Sequence, residues 1–175
     1  MEKKLIITIV GKSWSWKSEI ANRLEKIFNF NRPKNLTTRP KRPWEDNNTD
    51  YIHVNQEDFF SELKENKLVE YVYFWWNFYG IRNPEGNNII IAEPLWAIQI
   101  KKYCFEHGID NMIIKIECEN EERLRRIGND EKRKGRKEDY FDLFNPLYDS
   151  IIDNTGDLED SLKEITNLIN IYKSI

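Results

Sequence analysis

The sequence has few of the residues that build disulfide-bonded or metal-held scaffolds. It contains only two cysteines, Cys104 and Cys118, and two histidines, His53 and His107, among 175 residues. Neither cysteine belongs to a CxxC pair, so a disulfide framework is not expected. Two histidines cannot form a histidine-rich metal site. These shortages predict a protein that works in a reducing compartment.

Strong charge imbalance and long apolar runs are also missing. The 27 basic residues face 30 acidic ones, giving a net charge of −3, so no overall positive field attracts nucleic acid or a membrane surface. The stretch before Gly11 holds only about six apolar residues, too few for a signal peptide or a membrane span. We expect one cytoplasmic domain, residues 1–175, that is a monomer or small homo-oligomer and has no nucleic-acid or membrane partner.

The order of apolar patterns along the chain predicts an α/β fold. A β-branched run at 4–10 leads through a loop into an amphipathic helix at 17–28. Further core strands are predicted at 88–92 and 112–118, each followed by a helical stretch. Strands that alternate with helices favour a parallel sheet covered on both faces. The aromatic stretch at 75–80 is predicted to be a turn.

The loop between the first strand and the first helix matches a phosphate-binding pattern at all but one position. In that pattern, G-x-x-x-x-G-K-[ST], backbone N–H groups hold phosphate oxygens. Lys17 would reach the β- and γ-phosphates of ATP, and the Ser18 hydroxyl would hold Mg²⁺. Trp16 stands where close backbone approach requires glycine. Taken alone, the loop could also be an ordinary strand-to-helix turn. The predicted nucleotide-binding residues of this loop are Gly11, Ser13, Trp14, Ser15, Trp16, Lys17 and Ser18.

Three further motifs follow the loop in order. The first is NLTTRPKRPWE at 35–45 with Asp50-Tyr51 after it, and the second is Glu70 followed by NFYG at 77–80. The third is an arginine-rich stretch that begins at 122–126. In this order they resemble the guanylate kinase family, whose segments read S-x-T-T-R-x-P-R-x-G-E…D-Y, then E…G-N-Y-Y-G, then a basic lid. The resemblance spans about residues 4–170.

The resemblance implies roles for side chains on both nucleotides. Arg39 and Arg42 would grip the acceptor phosphate bidentately, helped by the hydroxyls of Tyr51 and Tyr79. Glu70 would accept hydrogen bonds from N1–H and the exocyclic amine of guanine. The implied acceptor-binding residues are Asn35, Arg39, Arg42, Tyr51, Glu70, Tyr79 and Glu93. The implied catalytic residues are Lys17 and the lid arginines Arg126, Arg133 and Arg136, and Asn154 resembles the adenine-side asparagine.

The resemblance also implies a fold and a reaction. The fold is a three-layer α/β P-loop architecture with a parallel core sheet, an acceptor-binding insertion at about 33–84 and a helical lid at about 120–140. The reaction is Mg²⁺-dependent transfer of phosphoryl from ATP to GMP or dGMP. Asn35 and Ile81 replace hydroxyl residues of the family, which leaves open a kinase for another nucleoside monophosphate. Trp16 leaves open a binding module that has lost catalysis.

Glycine is scarce and tryptophan is abundant, at seven and six residues. Five tryptophans, Trp14, Trp16, Trp44, Trp76 and Trp96, stand at glycine positions of the family pattern, and Trp75 adjoins one of them. One consistent replacement is not typical of drift. Our hypothesis is that UGA codons meaning glycine have been read as tryptophan. A degenerate homologue and deliberate substitution are the alternatives.

Overall fold

The computed structural model describes residues 4–41, 51–74, 76–129, 134 and 138–174. Within these residues the strands are β1 (Leu5–Gly11), β2 (Asn35–Thr37), β3 (Tyr51–His53), β4 (Leu68–Phe74), β5 (Asn77–Arg82), β6 (Asn88–Ile91), β7 (Asp110–Glu117) and β8 (Ser150–Asp153). The helices are α1 (Lys17–Phe28), α2 (Gln56–Lys64), α3 (Pro94–Glu106), α4 (Asn120–Ile127) and α5 (Leu158–Lys173), with a 3₁₀ helix at Asp139–Leu147.

Four parallel strands form the core sheet in the order β6-β1-β7-β8. Strand β1 is buried along its whole length, as a central strand of a parallel sheet must be. Leu5, Ile7 and Ile9 pack on one face with residues of α1 and α5. Ile6 and Val10 pack on the other face with residues of α3 and the 3₁₀ helix. Helices therefore cover both faces of the sheet, and the predicted three-layer α/β fold is confirmed.

A second, mixed sheet lies within residues 35–82, in the order β3-β2-β5-β4. The predicted turn at 75–80 is wrong from Asn77 onward, because this part is strand β5, paired antiparallel with β4. Packing explains the difference. The Phe78 ring lies 5.5 Å from the Phe59 ring of α2 and 4.8 Å from the Tyr73 ring of β4, so the aromatic residues pack across the sheet.

The carboxyl ends of β1 and β6 place the functional loops side by side. These strands are parallel neighbours with Ile9 opposite Ile91, so Gly11 and Glu93 emerge at the same edge of the sheet. Ligands of open α/β sheets bind at that edge. No helix in the described ranges is long and apolar enough to cross a membrane.

Candidate nucleotide-binding site

The predicted phosphate loop, residues 11–18, connects β1 to α1 and is supported by contacts from other parts of the chain. A Cβ at Gly11 would lie 2.5 Å from the Ile116 carbonyl oxygen of β7, so only glycine fits there. The buried Asn154 donates from Nδ2 to the Ser15 carbonyl at 3.0 Å. The Lys17 ammonium donates to the Lys12 carbonyl at 2.7 Å, which folds its chain back over the loop. Asn154 thus supports the loop backbone, and Lys17 lies across it.

Tryptophans of the phosphate loop have backbone angles that favour glycine. Trp14 has φ 65° and Trp16 has φ 62°, both in the left-handed region. Trp76, directly before β5, has φ 64°. A side chain in this region normally costs about 1–2 kcal/mol, which glycine avoids. Trp96 is different, because it lies inside helix α3. Trp44 and Trp75 lie outside the described residues.

The second sheet brings the predicted acceptor residues onto one face. Its register aligns Tyr51, Asn35, Ile81 and Glu70 in one row across four strands. Tyr79 lies in the next row on the same face, with its ring 6.2 Å from the Tyr51 ring. Residues from four separate strands thereby share one face of the sheet, and two of them, Asn35 and Tyr51, line a cavity together with the loop.

Among these residues, Glu70 is unusual because its ionisable side chain is buried without a hydrogen-bond partner in the described part of the chain. It is 1% exposed, and neither carboxylate oxygen has a hydrogen-bond partner among the described residues. Burial raises the pKa of Glu70 to about 8, because desolvation disfavours its charged form. A buried carboxyl without a partner is costly unless a ligand supplies donors to it. Glu70 therefore has the properties of a ligand-binding group.

Arg39 lies just after the end of strand β2, in the connection that leaves the second sheet. Its guanidinium lies 5.5 Å from the centre of the Tyr51 ring, and Nη1 donates to the Pro40 carbonyl at 2.9 Å. The Arg39 carbonyl is 2.8 Å from His53 Nδ1, which fixes the backbone that carries this arginine. The second predicted phosphate-binding arginine, Arg42, lies outside the described residues.

A cavity of about 250 Å³ lies between the phosphate loop and the second sheet. Its lining joins Lys17 and Ser18 of the loop to Asn35 and Tyr51 of the acceptor face, and to Glu93 after β6. Trp96 of α3 also lines this cavity. Hydroxyl and carboxylate oxygens are the ligands that Mg²⁺ prefers, so Ser18 and Glu93 suit a magnesium ion that accompanies nucleotide phosphates. No dedicated cluster of metal-ligating side chains occurs within the described ranges.

The described part of the predicted lid contains Arg126. Its side chain is 4% exposed and pairs with Glu122, which also pairs with Arg125. These bonds, from Arg125 and then from Arg126, lower the pKa of Glu122 to about 2. Arg126 Nη2 donates to the Thr155 carbonyl at 3.2 Å. The other two predicted catalytic arginines, Arg133 and Arg136, lie outside the described residues.

The structure brings three further residues to this site; sequence reasoning missed Glu138 and Tyr140, and counted Arg123 in the lid motif without giving it a role. Glu138 accepts hydrogen bonds from Ser13, Arg123 pairs with Glu138, and the Tyr140 hydroxyl donates to Glu93 at 2.8 Å. These residues lie near the two ends of the predicted lid, in a charge-rich segment where nothing in the spacing marks individual side chains. Only the fold, which returns this segment to the phosphate loop, reveals them.

Buried donors without an acceptor surround the loop. Ser15 Oγ, Arg123 Nε and Arg126 Nη1 are buried and have no hydrogen-bond partner among the described residues. Buried polar groups are nearly always satisfied in native proteins, so unsatisfied donors indicate a place for an acceptor. Three such donors beside a phosphate loop fit the oxygens of a bound nucleotide.

Comparison with known proteins identifies the family. The chain is 31% identical over 182 residues to guanylate kinase from Mycoplasmoides gallisepticum, covering 96% of this chain and 93% of that protein. It belongs to the guanylate kinase family. It is also 30% identical over 144 residues to guanylate kinase from Clostridium tetani, covering 71% of this chain and 69% of that one. No protein-family model matches the sequence.

A solved structure agrees on the architecture of this guanylate kinase family member. The crystal structure of guanylate kinase from Anaplasma phagocytophilum superposes with a TM-score of 0.72, covering 98% of this chain and 87% of that one at 22% identity. Identity at this level supports the fold alone. The predicted resemblance to the guanylate kinase family is confirmed, and the chain has the fold of a nucleoside monophosphate kinase.

Proposed function

We propose that this protein transfers the γ-phosphoryl group of ATP to GMP or dGMP, giving ADP and GDP or dGDP. The observation that carries the proposal is the shared cavity. It places Lys17 and Ser18 of the phosphate loop opposite Asn35 and Tyr51 of the acceptor face. Two nucleotides bound to these two walls would meet end to end across the space between them.

The residues on the donor wall suit an in-line displacement. A phosphate oxygen of GMP forms a bond to the γ-phosphorus, and the bond from that phosphorus to the β,γ-bridging oxygen breaks, so the electron pair leaves with ADP. Lys17 would neutralise negative charge that develops on the bridging and γ-oxygens. Ser18 and Glu93 would hold magnesium, which supplies further neutralisation of the phosphates. No covalent intermediate on the protein is required.

The residues on the acceptor wall suit guanine and its phosphate. The donors of bound guanine would favour ionised Glu70, whose carboxylate would then accept hydrogen bonds from N1–H and the exocyclic amine. Adenine has no donor at N1. Arg39, Tyr51 and Tyr79 would hold the monophosphate. Positioning of the two substrates and neutralisation of charge then provide the rate acceleration.

A binding module without phosphotransfer is the second candidate. It is favoured by Trp14 and Trp16, whose indole rings belong to the loop that must approach phosphate closely. A coupled assay with GMP, dGMP, AMP, CMP and UMP decides between the candidates. The sequence as written and a Trp14→Gly/Trp16→Gly version are assayed side by side. GMP turnover by either version supports the kinase. Binding of GMP without turnover in both versions supports the module, and turnover of another monophosphate in preference to GMP contradicts guanine selectivity.

A further inference from the structure

Glu138 contacts the phosphate loop directly. Its carboxylate accepts two hydrogen bonds from Ser13, at 2.6 Å from Oγ and at 3.1–3.2 Å from the backbone N–H. Glu138 is 8% exposed, so these bonds are shielded from solvent. Hydrogen bonds to an ionised acceptor are roughly twice as strong as neutral ones. The Glu138 side chain therefore accepts hydrogen bonds from both donors of Ser13, in the middle of the loop.

A buried arginine completes this contact. Arg123 of α4 lies 3.4 Å from Glu138 through Nη1 and donates to Asn120 through Nη2 at 2.8 Å. Helix α4 forms the start of the predicted lid, residues 120–140, and Glu138 lies at its end. The Arg123–Glu138 pair thus joins the two ends of the lid at the phosphate loop.

The segment after Glu138 is anchored to the core sheet. Asp142 accepts a hydrogen bond from the buried Lys115 of β7 at 2.6 Å and a weaker one from Lys12 at 3.4 Å. Lys115 is 1% exposed and also donates to Glu117 and Asn145. Removing one partner of a buried ion pair is strongly destabilising, so these contacts favour the observed placement of the segment. The segment that carries Glu138 is therefore bonded to β7 through Asp142 and Asn145.

We propose that Glu138 is a positioning residue, which holds Ser13 so that the phosphate loop and the base of the lid keep one relative placement. The proposal rests on the proposed function, because the purpose of this placement is to present lid arginines to a nucleotide in the loop. Glu138 acts through Ser13 and Arg123 and need not touch the substrate.

Amide hydrogen exchange tests the contact without requiring activity. In Glu138→Ala, the Ser13 amide should exchange about tenfold faster or more, because it loses its acceptor. Glu138→Gln keeps an acceptor oxygen and should show a smaller change. Glu164→Ala, which removes an exposed carboxyl on α5, is the matched control, and Ser13 exchange should stay at the parent rate. Unchanged Ser13 exchange in Glu138→Ala overturns the proposal.

Kinetics test the consequence, in whichever loop version turns over. Glu138→Ala should lower kcat/KM for ATP by about ten- to a hundredfold while KM for GMP stays within about twofold. Ser13→Ala should lower it less, and should add little in the Glu138→Ala background because the two side chains act through one contact. The positioning role is wrong if the losses in kcat/KM of Glu138→Ala and Ser13→Ala are fully additive in the double variant. It is also wrong if the losses disappear once the rates are corrected for the fraction of unfolded protein.

The two proposals fail separately. If neither loop version phosphorylates any monophosphate, the proposed kinase fails, while Ser13 exchange and an ATP titration still decide whether Glu138 holds the loop. If Glu138→Ala does not fold, Glu138→Gln and Ser13→Ala carry the same comparison. If the protein is an active kinase, but the Glu138 variants change neither the exchange rate of the Ser13 amide nor the ATP kinetics, the proposed function stands and the positioning role is wrong.

Discussion

The guanidinium of Arg126 lies 4.2 Å from the centre of the Trp16 ring. The pair is a cation–π contact between the predicted lid and a loop position where the family pattern has glycine. The same guanidinium keeps one buried N–H without an acceptor within the described part of the chain. The Trp16 indole therefore packs against the Arg126 guanidinium, while the donors of that guanidinium lie at its edge, where phosphate oxygens bind.

Restoring glycine in the loop should restore nucleotide binding. Trp14→Gly/Trp16→Gly removes two rings from the phosphate cradle and relieves two left-handed backbone conformations, each costing about 1–2 kcal/mol. We expect weak ATP binding by the sequence as written and at least about tenfold tighter binding by the restored version, measured by calorimetric titration. Tight ATP binding together with normal GMP turnover by the tryptophan form would contradict both the miscoding hypothesis and the role assigned to the loop.

Backbone angles predict which tryptophans can be replaced by glycine without loss of stability. Trp76 is 82% exposed and has φ 64°, so Trp76→Gly should stabilise the fold by about 1 kcal/mol through relief of strain. Trp96 is the control, because it lies in α3 and its ring stacks 6.5 Å from the Tyr79 ring. Trp96→Gly should destabilise the fold, since glycine weakens helices. Denaturant unfolding of both variants measures the two changes, and equal effects would contradict the strain argument.

Lys17 should be required for catalysis and dispensable for folding. Lys17→Ala, made in the loop version that turns over, should lower kcat by about a hundredfold or more because developing charge on the phosphates loses its neutralising partner. Lys26→Ala, an exposed lysine in the last turn of the same helix, is the control and should keep the parent rate. Near-normal turnover by a folded Lys17→Ala protein rules out the phosphate-loop assignment.

Glu70 should set the preference for guanine over adenine. GMP offers hydrogen-bond donors to the Glu70 carboxylate, whereas AMP has no donor at N1. The parent should therefore favour GMP by about a hundredfold in kcat/KM. Glu70→Gln should lose most of this preference, mainly through slower use of GMP. Assays with GMP, dGMP and AMP measure it. If the parent uses AMP as well as GMP, the kinase for another monophosphate becomes the better assignment.

Glu70 should also make stability depend on pH in the absence of ligand. Its pKa rises from an ordinary value of 4.5 to about 8 in the folded protein. Below the ordinary value Glu70 is protonated in both states, so it makes no pH-dependent contribution to the free energy of unfolding. As pH rises toward 8 the unfolded state releases the proton first, so the free energy of unfolding falls, by an amount on the order of a few kcal/mol.

Removing the carboxyl should remove this slope. Glu70→Gln is expected to be more stable than the parent at pH 8 and to unfold with less dependence on pH between 5 and 8. Glu57→Gln, an exposed carboxyl on α2, is the control and should follow the parent curve. Urea unfolding at several pH values gives the comparison, and parallel curves for the parent and Glu70→Gln would contradict the effect of burial.

The sequence by itself determined the architecture and predicted the location of the donor site. β-branched apolar runs favour buried strands, and their alternation with amphipathic helices favours a parallel sheet between two layers of helices. Gly11, Lys17 and Ser18 were found by local spacing, because one loop and one helix turn contain the whole motif. The tryptophans at glycine positions were also visible in sequence, and the left-handed angles of Trp14, Trp16 and Trp76 now give them a physical cost.

The tertiary structure alone decided what meets across the fold. Strand β5 escaped prediction because its aromatic residues are stabilised by α2 and β4, which lie elsewhere in the chain. The row that aligns Asn35 with Glu70 depends on strand register, and the burial that shifts Glu70 depends on everything packed around it. Glu138 reaches Ser13 across 125 positions of sequence. Contacts between residues so far apart in sequence depend on the fold of the whole chain, so no local pattern of residues could predict them.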